Sequence, residues 1–134
     1  MPSPTVESGY DRTGLPVAGC EPGTPPLAAR PLLDLRQAGE LAGLFKILAN
    51  DTRLRLLQAL CRGGEVCVSE LAATVGMRPQ AVSNQLQRLV DRRIVATRRQ
   101  GTSIFYRVVD PCVTSLLELG LCLMETPAAP AGGA

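Results

Sequence analysis

Between Pro79 and Leu89 the sequence PQAVSNQLQRL sets five polar side chains, Gln80, Ser83, Asn84, Gln87 and Arg88, around an apolar stripe of Val82, Leu86 and Leu89. The stripe recurs at i, i+4 and i+7, the period of a helix with one buried face. Amides, a hydroxyl and a guanidinium projecting from the opposite face are groups that hydrogen-bond base edges and phosphates, so these five are candidates for work in a DNA major groove. Downstream, six arginines fall between Arg88 and Arg107 against the single acid Asp91. Arg98 and Arg99 stand side by side near Thr102, at the expected tip of a hairpin, where adjacent cations repel unless a polyanion lies close. Arg98, Arg99 and Thr102 are therefore candidates for phosphate contacts or the neighbouring minor groove.

The cysteines are the second chemically able set. The chain has five, and no histidine. That absence excludes Ser-His and Cys-His nucleophile pairs, most acid–base schemes and mixed Cys/His zinc sites. An odd count without a secretory leader points to thiols, metal ligands or redox sensors, and away from a disulfide framework. Cys112 and Cys122 lie on one expected helix, with Cα atoms roughly 15 Å apart along the axis and about 80° around it, so one chain cannot close both on one ion. In an antiparallel pair of such helices crossing near Leu117, Cys112 of one chain meets the level of Cys122 of the other, giving two symmetric sites. Asp110 and Glu125 stand at the ends of the same stretch and add carboxylate oxygens, a donor set suited to zinc, cadmium or lead. A purely structural reading is equally open, since cysteine packs as a small hydrophobe and an aspartate before Pro111 is a good helix cap. Cys67 is a weaker metal candidate, alone or as a thiol pair with Cys61. Cys20 is either an incidental thiol or a ligand carried on an arm.

The elements that must position these groups follow from local signals. Residues 1–30, with six prolines and four glycines, read as a disordered arm; residues 31–126 read as the folded domain and 127–134 as a disordered tail. A leucine-rich helix runs from Pro31 to Leu48, apolar over more than one narrow stripe. Asn50 and Asp51 cap a second helix with Leu54, Leu57 and Leu60 inward and Arg53 and Arg55 outward. Gly63-Gly64 breaks it. Ser69 reads as the N-cap of a short helix that Gly76 ends, and Pro79 opens the polar-faced helix after a tight turn. Ile94 to Val109 read as two strands about Gln100-Gly101-Thr102-Ser103. A helix-turn-helix followed by a basic hairpin is a winged helix, so the fold class is mostly α with a small β-hairpin. Pro111 begins a last helix apolar nearly all round, which about 100 ordered residues cannot bury alone. A two-fold homodimer through the first and last helices resolves this.

Composition bounds the rest. With 134 residues there is one domain, and at 46% hydrophobic content with two Phe, two Tyr and no Trp its core is aliphatic. The net charge of +2 conceals the local basic cluster. No apolar run suits a membrane span and no signal peptide is evident, so the expected compartment is the cytoplasm.

LFKILANDTRLRLLQAL, EVCVSEL, VGMRPQAVSNQLQRLVDRRIV and GTSIFYRVVD, in that order and spacing, resemble the ArsR/SmtB family of bacterial repressors between Leu41 and Glu125. The resemblance implies a homodimer that binds a palindromic double-stranded operator and leaves it when a thiophilic divalent metal ion, metalloid or thiol-reactive signal arrives, with no cofactor required. Members sensing soft metals through the first helix of the reading motif carry ELCVC; here EVCVS matches at Cys67 and has Ser69 at the second position. Members sensing zinc through the last helix carry Asp-x-His, a later His and then Glu. Asp110, Cys112, Cys122 and Glu125 follow that order with cysteine for histidine and one residue fewer between. A third group senses persulfides or oxidants with one cysteine in the second helix and one in the last. A winged-helix interaction module that binds no operator is the competing class, and a thiol-dependent enzyme has no base to activate its cysteine.

Overall fold

The computed structural model describes residues 25–125, so Cys20, the arm up to residue 24 and the tail from residue 127 lie outside the described residues. These fall into two units, Pro25–Asp110 and the helix that starts at Pro111. In the first unit a single 3-10 turn, Leu27–Ala29, lies within the segment expected to be part of the arm. Helix α1 (Leu35–Leu48) begins later than Pro31 because Asp34 and Gln37 cap it reciprocally: the Gln37 amide donates to Asp34 Oδ1 at 2.8 Å and the Asp34 amide to Gln37 Oε1 at 3.0 Å. Helix α2 (Asp51–Gly63) starts on Asn50, whose side chain accepts from the Arg53 amide at 3.0 Å.

The inward face of α2 differs from the sequence expectation. Arg53, Leu56, Leu57 and Leu60 are buried, while Leu54 is 37% exposed. Residues spaced 3, 1 and 3 cover a narrow arc, whereas Leu54, Leu57 and Leu60 drift about 60° per step around the helix. The arrangement that buries three leucines completely therefore carries Arg53 inward with them.

Beyond Gly63 the chain turns so tightly that a β-carbon there would stand 2.6 Å from Val66 Cγ2. It then forms a strand the sequence pattern does not reveal, β1 (Glu65–Cys67). Helix α3 (Val68–Val75) follows at once, with Cys67 in the N-cap position in place of Ser69. Gly76 ends it in the left-handed conformation, φ 72° and ψ 36°, and the Met77 amide reaches back to the Ala72 carbonyl at 3.0 Å. Helix α4 (Pro79–Asp91) has proline in its first turn and buries Val82, Leu86 and Leu89 completely. Strands β2 (Val95–Gln100) and β3 (Ser103–Val108) form the expected hairpin, and β1 adds to β3, giving the antiparallel order β1-β3-β2. One sheet face carries Val95, Thr97, Ile104 and Tyr106 toward the helices; the other carries Cys67, Ala96, Arg98, Phe105 and Arg107. The core is aliphatic: Leu56, Leu57, Leu60, Leu71, Val82, Leu86 and Leu89 are fully buried, with Ile94, Val95 and Tyr106 closing it on the sheet side.

The second unit is helix α5 (Pro111–Glu125), in which no residue is fully buried. None of the helices among the described residues is long and apolar enough to cross a membrane.

A β-carbon at Gly76 would meet nothing within 4 Å, so only its left-handed backbone opposes substitution. Gly76→Ala is expected to destabilise the domain by about 1–2 kcal/mol, read from urea unfolding midpoints, and Gly76→Asn by clearly less.

Candidate functional site

With its apolar stripe locked into the core, α4 turns its polar face outward. Gln80, Asn84, Gln87 and Arg88 are exposed, and Ser83 is half-buried at the edge of that face. Two one-turn hydrogen bonds order the surface: Gln80 Nε2 donates to Asn84 Oδ1 at 3.0 Å and Gln87 Nε2 to Asp91 Oδ1 at 2.8 Å. Each bond holds a long amide against the helix surface; the first uses a Gln80 amide hydrogen and the Asn84 carbonyl oxygen, so the Gln80 carbonyl oxygen and the Asn84 amide hydrogens are an acceptor and a donor able to address a base edge.

Arg98 and Arg99 do not form the repelling pair that their adjacency suggested. Neighbouring strand residues point to opposite faces. Arg99 and Thr102 are exposed at the hairpin tip. Arg98 instead lies across the outer face of the sheet in a fork on Glu65, with Nη2 to Oε1 at 2.7 Å and Nε to the two carboxylate oxygens at 3.1 and 3.0 Å. Its Nη1 donates to Gln100 Oε1 at 2.9 Å, and its guanidinium carbon sits 4.9 Å above the Phe105 ring. The sequence reading missed Glu65 as a partner. The contact is diagonal across three strands and exists only because β1 joins β3, a pairing for which three residues carry too little periodicity. The Arg98 hydrogen bonds hold the Glu65 carboxyl below its ordinary value of 4.5; partial burial opposes them, and the charges of Arg98 and Arg107 add to them.

Cys67 faces the same side as Phe105, its partner in register on β3. Its Sγ lies 3.2 Å from Ser69 Oγ and donates to Glu70 Oε1 at 3.3 Å. Ser69, expected to cap α3 through the backbone, instead faces this thiol. Cys112 and Cys122 are carried on α5, with Asp110 immediately before that helix and Glu125 as its final residue. Among the described residues no three Cys, Asp or Glu side chains of one chain converge on a metal position.

The stretch from Asn50 to Thr97, from α2 to the first strand of the hairpin, matches the family model of bacterial regulatory proteins of the arsR family. The chain is 38% identical over 86 residues to the HTH-type transcriptional regulator NmtR of Mycobacterium tuberculosis, covering 64% of this chain and 71% of that one. It belongs to the arsR family. A transcriptional repressor SmtB homolog from Synechocystis is 41% identical over 85 residues, 63% of this chain and 64% of the relative. Among solved structures, the AntR antimony-specific transcriptional repressor superposes with a TM-score of 0.68 at 62% identity, over 80% of this chain and 96% of that one. In this arsR-family chain α3 and α4 are the helix-turn-helix and β2-β3 the wing.

The Glu65–Arg98 tie has a defined pH signature. Because the folded-state pKa of Glu65 is lowered, its stabilisation is present in full above 4.5 and disappears as pH falls through the lowered value. Glu65→Gln should therefore have a lower urea midpoint than wild type at neutral pH, and the gap should close in acid. A gap that stayed constant across that range would mean the charge contributes nothing.

Proposed function

We propose that this chain is a cytoplasmic, homodimeric repressor of transcription that binds an operator through α4 and the wing and is released by a trivalent metalloid or thiophilic metal ion. The observation that carries the DNA-binding half is the ordered, outward amide and guanidinium face of α4 held on a fully buried stripe beside the basic hairpin. Gln80, Ser83, Asn84, Gln87 and Arg88 address the major groove. Arg99 and Thr102 hold phosphate at its edge. Arg98 contributes by fixing the wing, and its charge is already shared with Glu65.

Dimer formation is supported by the apolar side chains left uncovered. Helix α1 buries Leu48 alone and leaves Leu35, Leu41 and Phe45 at 93, 41 and 46% exposure. A 14-residue helix is marginal by itself, so its apolar side is satisfied by the same helix of a second copy. In such a dimer the two α4 helices stand about one DNA turn apart, roughly 34 Å.

The inducer reading rests on donor chemistry and on relatives. With no histidine in the chain, strong ligands must come from sulfur and carboxylate, which favours soft, thiophilic ions. AntR is an antimony-specific repressor at 62% identity, and CadC of Listeria innocua, 28% identical, is a cadmium resistance regulatory protein. The sensing residues are Cys112 and Cys122 of opposite chains on paired α5 helices, with Asp110 and Glu125 as supplementary oxygens. Cys67, already held by Ser69 and Glu70, is the weaker candidate.

Reduced protein bound to a duplex from its own upstream region should be titrated with antimonite, arsenite, cadmium, lead, zinc and a persulfide donor while anisotropy is followed. Antimonite or another thiophilic ion should weaken binding about 5- to 150-fold. Cys112→Ser and Cys122→Ser should abolish that response without changing ligand-free affinity, and Cys67→Ser should retain it. Arg99→Glu should weaken binding at every duplex sequence and flatten the salt dependence. A response confined to the persulfide donor would move the function to thiol chemistry. A wild-type protein that binds neither its upstream duplex nor any other DNA at low salt would make the chain an interaction module.

A further inference from the structure

Arg53 is the single charged residue buried in the core of the described chain, at 9% exposure. Its backbone amide completes the Asn50 cap, and its side chain leaves α2 in two directions. Nε donates to the carbonyl of Ile47, in the last turn of α1, at 2.7 Å; Nη1 donates to Gln85 Oε1, on α4, at 3.0 Å. Both acceptors are uncharged. A guanidinium buried without a carboxylate costs more than an apolar side chain of the same length, and core stability alone does not call for it. What it supplies is geometry, since a rigid planar fork fixes two acceptors relative to each other and a lysine point charge does not.

The two acceptors belong to elements with different tasks. Ile47 lies in the last turn of the helix whose apolar side is uncovered, beside a corner where the Ala49 amide bonds the Phe45 carbonyl and the Asn50 amide bonds that of Leu48. Arg53 takes up a further carbonyl at the same negative helix end, which favours a cation. Gln85 sits on α4 one residue from Asn84, half-buried between the core stripe and the polar face. Rotation of α4 about its axis would break the Gln85 bond before it disturbed the aliphatic stripe, because hydrogen bonds are directional and apolar contacts are not.

We propose that Arg53 is a positioning residue for DNA reading, a strut that sets the rotation of α4 against the end of α1 through Gln85. The proposal rests on α4 being the reading helix. It goes beyond that by assigning specificity to a residue that touches no DNA and by making the α1–α2 corner part of the reading head.

The test compares wild type, Gln85→Leu, Gln85→Glu, Arg53→Met and the Arg53→Met/Gln85→Leu double variant on the operator duplex and on a scrambled duplex of equal length and salt. Helical content by circular dichroism establishes that each is folded. Gln85→Leu and Arg53→Met should each lower operator affinity about tenfold while leaving scrambled-duplex affinity unchanged, the size expected when a base-pair contact is misaligned. The double variant should lose no more than either single one, because both act through one contact. Gln85→Glu, which keeps an acceptor for the guanidinium, should retain wild-type discrimination. A purely structural role would lower the melting temperature and leave the operator-to-scrambled ratio untouched in the folded variants, which would overturn the strut, as would losses that multiply in the double variant. A wild type that fails to discriminate the two duplexes would instead overturn α4 as a reading helix, and the strut with it.

Discussion

The structure depends on one constraint: a core with almost no aromatic content must be closed by leucine and valine alone. Leu56, Leu57 and Leu60 of α2, Leu71 of α3, and Val82, Leu86 and Leu89 of α4 are all at 0% exposure. Aliphatic side chains of this size fill space only when the helices meet in one register, and a missing methylene is felt at once. That register decides which residues of α4 face out. The Gln80–Asn84 and Gln87–Asp91 pairs owe their place on the surface to the three residues on the opposite side of the same helix. Reading chemistry and packing are thus two faces of one spacing.

Apolar packing sets the register of the helices, and directional polar ties between elements add to it. Arg98 joins the wing to β1 through Glu65 and Phe105, Arg55 reaches the Val75 carbonyl at the end of α3 at 3.3 Å, and Arg53 spans three helices. In a chain rich in arginine it is tempting to count every guanidinium toward a polyanion. Two of the most prominent, Arg53 and Arg98, are committed within the protein, and the charge offered outward is smaller and more localised than composition implies.

What could be read in the sequence divides along the same line. Helix α4, the Gly76 turn and the hairpin were legible because each is written in consecutive residues: a heptad-like stripe, a glycine before proline, alternating β-branched residues about Gly101. Strand β1 was not legible, because three residues show no alternation and their pairing partner lies some forty positions on. Losing β1 also displaced the cap of α3 from Cys67 to Ser69 and hid the partner of Arg98. The rotation of α2 is hidden in the sequence for a related reason. A buried arginine is rare, so leucine spacing alone points Arg53 outward, and only its distant acceptors, Ile47 and Gln85, make its burial tolerable.

The uneven burial of the helices bears on how a signal reaches DNA in the proposed repressor. Helix α4 is locked into the core by three fully buried residues, while α1 buries only Leu48 and α5 no residue. In the proposed repressor, a ligand held between two chains acts on the contacts between copies. An interface of that kind can take two arrangements without unfolding a reading head, which coupling between distant sites requires. Linkage then imposes a reciprocal cost: whatever factor the ligand removes from operator affinity, the operator removes from ligand affinity. If the proposed ion response holds, the DNA-bound dimer is the less sensitive form, and the free dimer the one that first takes up the ion.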